Sequence, residues 1–270
     1  MKRREFLQRT GAVVTGGTAA WTASRGELSA AAEANGDRQR VLVTGVENEL
    51  ARRIAAALAD DWNVLTTSTE QIDADLPFTK CSLESESEIQ SLLRDVTAIV
   101  HAGCPASADR ERVQIGQAPR QTYHLLQGAA ATGVHRVVYL SSLDQMDHVD
   151  SQYLVDEDFQ PRPLPGTGQL VRHLEEVCCR EFARSRQLQV VVLRLAALIS
   201  QNTQAPAENG APVVTASDAI RAVRRALETE RISDGRGIET WSVFHILSNP
   251  DQTRFPIQRA KRLLGYSPQS

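Results

Sequence analysis

A doubly wound α/β domain with a parallel sheet is the fold class predicted by the chain from residue 37 onward. Three observations predict it. Short apolar, β-branched runs such as RVLVT (40–44), TAIV (97–100), RVVYL (136–140) and QVVVLRL (189–195) read as strands buried on both faces. Segments with helical spacing separate them, which demands crossover connections and right-handed parallel pairing. The first strand passes through Gly45 directly into Leu50, Ile54 and Leu58 at helical spacing, the strand–turn–helix opening of a nucleotide-binding sheet.

The elements follow in order. Arg40–Thr44 is the first strand, Asn63–Thr67 the second and Phe78–Cys81 the third. Glu86–Arg94 makes a short helix, and Ala98–His101 a fourth strand ending in Gly103. A long helical region runs to Ala131, with Pro119 marking a break or a start inside it. His135–Leu140 is the fifth strand and runs into Ser141 and Ser142. An irregular acidic, proline-rich loop, Asp144–Gly168, leads to the helix Gln169–Arg186. That helix carries Leu170, Leu174, Val177, Cys178 and Phe182 on one broad apolar stripe, wide enough for the sheet and part of a partner helix. Gln189–Leu193 is the sixth strand. A loop with Pro206 and Pro212 precedes the helix Ser217–Thr229, the strand Trp241–Leu247 and a last helix, Ile257–Leu264. The prediction is a Rossmann-type doubly wound sheet over residues 37–270 with a small C-terminal appendage, its ligands at the carboxyl ends of the strands.

Residues 1–36 are of another kind. Arg3 and Arg4 followed by Phe6 and Leu7, an uncharged stretch from Gly11 to Ser24, and small residues at 29–32 predict a twin-arginine-like export signal. The expected location is therefore periplasmic, the alternative being a disordered basic arm on a cytoplasmic protein. The uncharged stretch is too short and too polar for a membrane span.

The whole chain carries a formal charge of −3; residues 1–36 hold five basic and three acidic groups, a net +2, so the rest stands at −5. No basic stripe interleaved with aromatics is present, which excludes nucleic acid as a partner. The six histidines show no ligand spacing, so no metal is expected. Of the four cysteines, Cys178 and Cys179 read as small buried apolar residues, and a Cys81–Cys104 bridge is the open alternative use of the other two.

The turn after the first strand departs from the phosphate-binding pattern. Gly-x-x-Gly-x-x-Gly becomes Gly45-Val-Glu-Asn48-Glu-Leu-Ala51. Asn48 tolerates a left-handed turn and Ala51 is a mild replacement at the helix–sheet contact. Glu47 and Glu49 place negative charge where two phosphates would sit. The acid that holds a ribose diol, about 20 residues further on, is replaced by the hydroxyl-rich Leu65–Thr69 segment. On these grounds no millimolar affinity for NAD is expected.

VLVTG (41–45), AIVHAGC (98–104), GVHRVVYLSS (133–142), VDEDFQPRPLP (155–165), EEVCCREFARSRQLQVVVLRL (175–195) and RAKRLLGYSP (259–268) together resemble the extended short-chain dehydrogenase/reductases, specifically the NAD-dependent epimerase/dehydratase family. The resemblance implies NAD or NADP as cofactor, a sugar-type small molecule as ligand and a homodimer formed through two helices. It implies cofactor contacts at Gly45, Asn48, Glu49, Leu50, Thr67, Ser82, Leu83, Ala102, Gly103 and Arg172, and a substrate-steadying serine at Ser142. The family's Tyr-x-x-x-Lys pair falls on Gly168 and Arg172; Gly168 does no acid–base work, and an arginine does not deprotonate. Lysine occurs only at positions 2, 80 and 261, so no shift of register restores the pair. Tyr153 in the neighbouring loop lacks a cationic partner, His173 points away from Arg172, and His101 is structural. The reading is of a member without its acid–base pair that serves as a binding or interaction protein; the alternative is an active, atypical NAD(P)-dependent sugar or sugar-acid epimerase, dehydratase or dehydrogenase.

Overall fold

The computed structural model describes residues 38–103, 111–199, 211–233 and 239–269. The predicted export signal and Cys104 lie outside them. Seven strands form one parallel sheet: β1 (Arg40–Thr44), β2 (Asn63–Ser68), β3 (Phe78–Lys80), β4 (Val96–His101), β5 (Arg136–Ser142), β6 (Gln189–Leu195) and β9 (Trp241–Ile246). Their order is β3-β2-β1-β4-β5-β6-β9, so the winding reverses between β1 and β4. β7 (Ala197–Ile199) and β8 (Val213–Thr215) pair as a separate parallel ribbon. Both lie outside the predicted strands, in the stretch between the sixth strand and the helix that follows it.

Among the described residues six α-helices flank the sheet: α1 (Glu49–Leu58), α2 (Glu86–Leu92), α3 (Glu111–Thr132), α4 (Thr167–Arg184), α5 (Ala216–Glu228) and α6 (Gln258–Leu264). Alternation along each strand sorts the core. Val41 and Val43 face a cluster with Ile54 and Leu58 of α1, Ala222 and Val223 of α5 and Ala260 of α6. Leu42, Ile99 and Tyr139 face the other cluster, with Ile89 of α2, Leu125 and Leu126 of α3 and Cys179 of α4. Each such large side chain withdrawn from water contributes about 1.5–3 kcal/mol. Pro119 neither breaks nor starts a helix but lies inside α3. Among the described residues no helix is long and apolar enough to cross a membrane.

One expectation about α4 is corrected. Its fully buried positions are Val171, Glu175, Glu176, Cys179 and Ala183. The predicted stripe of Leu170, Leu174, Val177, Cys178 and Phe182 is only half-buried. The helix turns two glutamates inward because β5 and β6 supply partners for them, and this leaves its most apolar flank partly open.

Candidate functional site

The carboxyl ends of β1 and β4 meet at two glycines. Gly45 has φ +72°, and a Cβ there would lie 2.9 Å from the Gly103 carbonyl oxygen and 3.3 Å from Ala102 Cβ. Gly103 has φ +70° and faces the Glu175 carboxylate. Neither position accommodates a side chain, so bare backbone lines the cleft at the sheet's winding reversal, where doubly wound folds bind ligands. Thr67, Ser68, Leu83, Gln121 and Thr122 complete the wall, and Glu47 projects into it.

The turn into α1 differs from the sequence reading in two ways. Asn48 is extended (φ −81°, ψ 133°), not left-handed, and its Oδ1 accepts the Leu50 N–H at 2.8 Å as an ordinary helix N-cap. Residue type alone signalled this. Glu49 opens the first turn of α1, and Glu47 precedes the N-cap. Glu49 is 76% exposed and faces Arg53 at 3.9 Å. Glu47 is half-buried beside Thr67, Ser68 and Thr69, and its Oε2 is buried with no hydrogen-bond partner among the described residues.

The other predicted cofactor residues have mixed placements. Thr67 lines the cleft, but its hydroxyl donates to Thr79 O at 2.7 Å and pins β3 to β2. Ser82 is exposed, its hydroxyl accepting the Glu84 N–H at 3.4 Å. Leu83 is buried in the cleft wall with φ +57°, and His124 Nδ1 donates to its carbonyl at 3.2 Å. Leu50 is half-buried on α1.

Behind Gly103 runs a buried hydrogen-bonded chain that sequence reasoning did not find. Thr122 Oγ1 donates to Glu175 Oε1 at 2.9 Å, and the Tyr139 hydroxyl donates to Glu175 Oε2 at 2.9 Å. Having given its proton to Glu175, the Thr122 hydroxyl accepts from His101 Nε2 at 2.9 Å. His101 Nδ1 therefore accepts from Thr44 Oγ1 at 2.7 Å. His101 is structural, as expected. Burial drives its pKa from 6.5 down to about 4, and burial followed by the charge of Arg194 drives His245 to about 3. Unfolding lets both rings protonate near pH 6.5, so native stability is intact above that pH and drains as pH falls toward 4. Urea unfolding should show this loss at about 1.4 kcal/mol per pH unit for each histidine; a flat profile between these limits contradicts it.

A second cluster lies at the end of β5. Ser142 Oγ accepts the Asp144 N–H at 3.2 Å and caps a 3-10 turn, Leu143–Met146. Arg172 Nη1 donates to Asp144 Oδ2 and to Gly168 O, each at 3.4 Å. Asp144 Oδ1 is buried with no hydrogen-bond partner among the described residues. Burial and the charge of Asp144 hold Asp147 above the ordinary carboxylate range, and Gln169 Nε2 donates to it at 3.1 Å. Gly168 occupies the second position of α4 and presents no side chain. Ser142 and Arg172 are thus linked through Asp144, which lies in the 3-10 turn that follows β5. Tyr153 is 56% exposed, and His173 lines a separate cavity with Glu157, Arg180 and Trp241. Among the described residues no group of three potential metal ligands is present.

Beneath this cluster Glu176 accepts from Arg194 Nη2 at 2.5 Å and from Ser141 Oγ at 2.9 Å, tying α4 to β6 and β5. Gln145 Nε2 donates to Ser141 Oγ at 2.6 Å and holds the 3-10 turn in place. The signal for this pair was Arg194 itself, one charge in an apolar strand that must have a buried partner.

No curated protein sequence matches the chain. Solved structures do: glucuronic acid dehydrogenase from Chromohalobacter salexigens (20% identity, 86% of this chain and 85% of that one, TM-score 0.71) and uronate dehydrogenase from Agrobacterium tumefaciens (18%, 86% and 85%, TM-score 0.72). A variant of the latter with a tyrosine changed to alanine was solved complexed with NAD, at the same identity and coverage. UDP-N-acetylglucosamine 4-epimerase from Bacillus cereus is similar as well (16%, 86% and 91%, TM-score 0.67). These likenesses agree with the parallel sheet and its winding. The family model "NAD dependent epimerase/dehydratase family" matches residues 41–242, and the chain belongs to that family.

Proposed function

We propose that the chain is an atypical NAD-dependent oxidoreductase acting on a sugar acid, with Asp144 in the role of the absent tyrosine. The family is NAD-dependent, and the cleft fits a dinucleotide on two counts: Gly45 and Gly103 line it at the sheet's winding reversal, and Glu47 Oε2 is an acceptor in need of a donor. The observation that carries the chemistry is the Ser142–Asp144–Arg172 cluster, with its unpartnered Asp144 Oδ1.

When bound, the nicotinamide supplies a two-electron hydride acceptor. Ser142 Oγ receives the Asp144 N–H, so its own proton is free to hold the reacting oxygen of a ligand. As the hydride leaves carbon, the hydroxyl proton passes to the Asp144 carboxylate, whose side chain is partly exposed. Arg172 spends two of its five N–H donors on Asp144 and Gly168; the other three have no partner among the described residues and form an edge suited to a carboxylate. The likeness to uronate dehydrogenase, and NAD bound by its variant lacking a tyrosine, support this reading. Gly168 favours a second one, binding of the same ligands without turnover. NADH formation, followed by absorbance with a panel of uronic acids, separates the two: appearance of NADH with at least one acid supports the first, and saturable binding without NADH the second.

The half-open flank of α4 supports a homodimer. Phe182 packs against Tyr123 of α3 with ring centroids 5.5 Å apart, and Tyr123 and Ile115 of α3 are exposed. Light scattering at tens of micromolar should give twice the monomer mass; a monomer mass overturns the dimer.

A further inference from the structure

We infer that Glu47 selects the nucleotide, accepting the ribose hydroxyls of NAD and repelling the 2′-phosphate of NADP. The inference rests on the dinucleotide reading above and specifies what its cleft discriminates. The strand end where a ribose-binding acid is expected, Leu65–Thr69, carries hydroxyls in its place, and those of Thr66 and Thr67 are committed to backbone carbonyls. Thr66 donates to Pro77 O at 2.9 Å, Thr67 to Thr79 O at 2.7 Å, and Ser68 Oγ accepts the Glu70 N–H at 3.2 Å. Glu47 enters the same end of the cleft from the β1–α1 turn, between Gly45 and the N-cap Asn48. Its Oε2 is buried without a hydrogen-bond partner among the described residues, beside Thr67, Ser68 and Thr69.

A buried carboxylate oxygen without a donor is a costly feature unless a ligand satisfies it. A vicinal diol has two O–H donors that a single carboxylate accepts, and this is the task of the acid at the end of the second strand in dinucleotide folds. A phosphate at the 2′ position removes one donor and brings a second anion against the carboxylate in a partly desolvated site. Lys80, the basic residue at the end of β3, is exposed and does not line the cleft. The acid missing from β2 is therefore supplied from the preceding turn, and the charge that argued against a dinucleotide in the sequence becomes a selector for one form of it.

The test is calorimetric titration of the full chain with NAD and, separately, NADP, for the native protein, Glu47→Gln and Glu47→Arg. Glu47 is half-buried at the surface end of the cleft, and the isosteric Glu47→Gln keeps its volume. The native chain should bind NAD more than about tenfold tighter than NADP, the cost of a like-charge contact. Glu47→Gln should narrow that gap, and Glu47→Arg should invert it. Equal affinities in the native chain, or a preference unchanged in both variants, overturn the inference and leave the dinucleotide reading standing. Binding of neither nucleotide by the native chain overturns both.

Discussion

Replacing Arg194 with leucine is expected to destabilise the fold by about 3–5 kcal/mol, a large share of the stability of an ordinary domain. Arg194 and Glu176 are 2% and 5% exposed, and the guanidinium is the only cation bonded to that carboxylate among the described residues. Removing it leaves a buried anion held by Ser141 and Gln145 alone. The loss should be larger than that for removing an exposed ion pair such as Arg184–Glu181, where about 0–1 kcal/mol is at stake. Replacing both partners, Arg194→Leu with Glu176→Leu, should recover part of it, because no charge then remains uncompensated. Urea unfolding of the three variants checks this. A single-variant loss near that of the exposed pair contradicts it.

The Asp144→Asn variant should lower the rate of NADH formation by about 100- to 10,000-fold, the range for removing a positioned acid or base. The amide keeps the shape of the carboxylate and its place beside Arg172 but accepts no proton. NAD affinity, set at Gly45, Gly103 and Glu47, should stay within about twofold of native, because the cluster at β5 lies outside that wall. Asp147→Asn serves as the comparison. Asp147 bonds Gln169 and is not hydrogen-bonded to Ser142 or Arg172 among the described residues, so its loss should be minor. A rate lowered only through KM in Asp144→Asn makes the residue a positioning group, and an unchanged rate removes it from the mechanism.

How much of this was legible depended on which signal each residue carries. Strand β1 was plain, because burial on both faces forces an unbroken apolar run. Helix α4 was legible as a helix, but not which flank faces the sheet. Periodicity follows hydrophobicity, whereas α4 buries Glu175 and Glu176 against hydroxyls and a guanidinium that lie far off in sequence. Sequence located Glu47 in the turn but not the direction of its side chain, and that direction decides whether its charge opposes phosphates or awaits a diol. Asp144 had no signal of its own, being one acid among several in a loop. Its meaning comes from Arg172 and Ser142 converging on it.

Hydride transfer by a family member without the tyrosine is tested most directly by isotope transfer. A uronic acid carrying deuterium at the carbon that is oxidised is incubated with the full chain and NAD, and the nucleotide is analysed by mass spectrometry. Deuterium should appear on the reduced nucleotide with the native chain and fall to background with Asp144→Asn. A nucleotide that binds saturably yet never acquires deuterium from any acid in the panel would contradict the account and return the chain to binding without turnover.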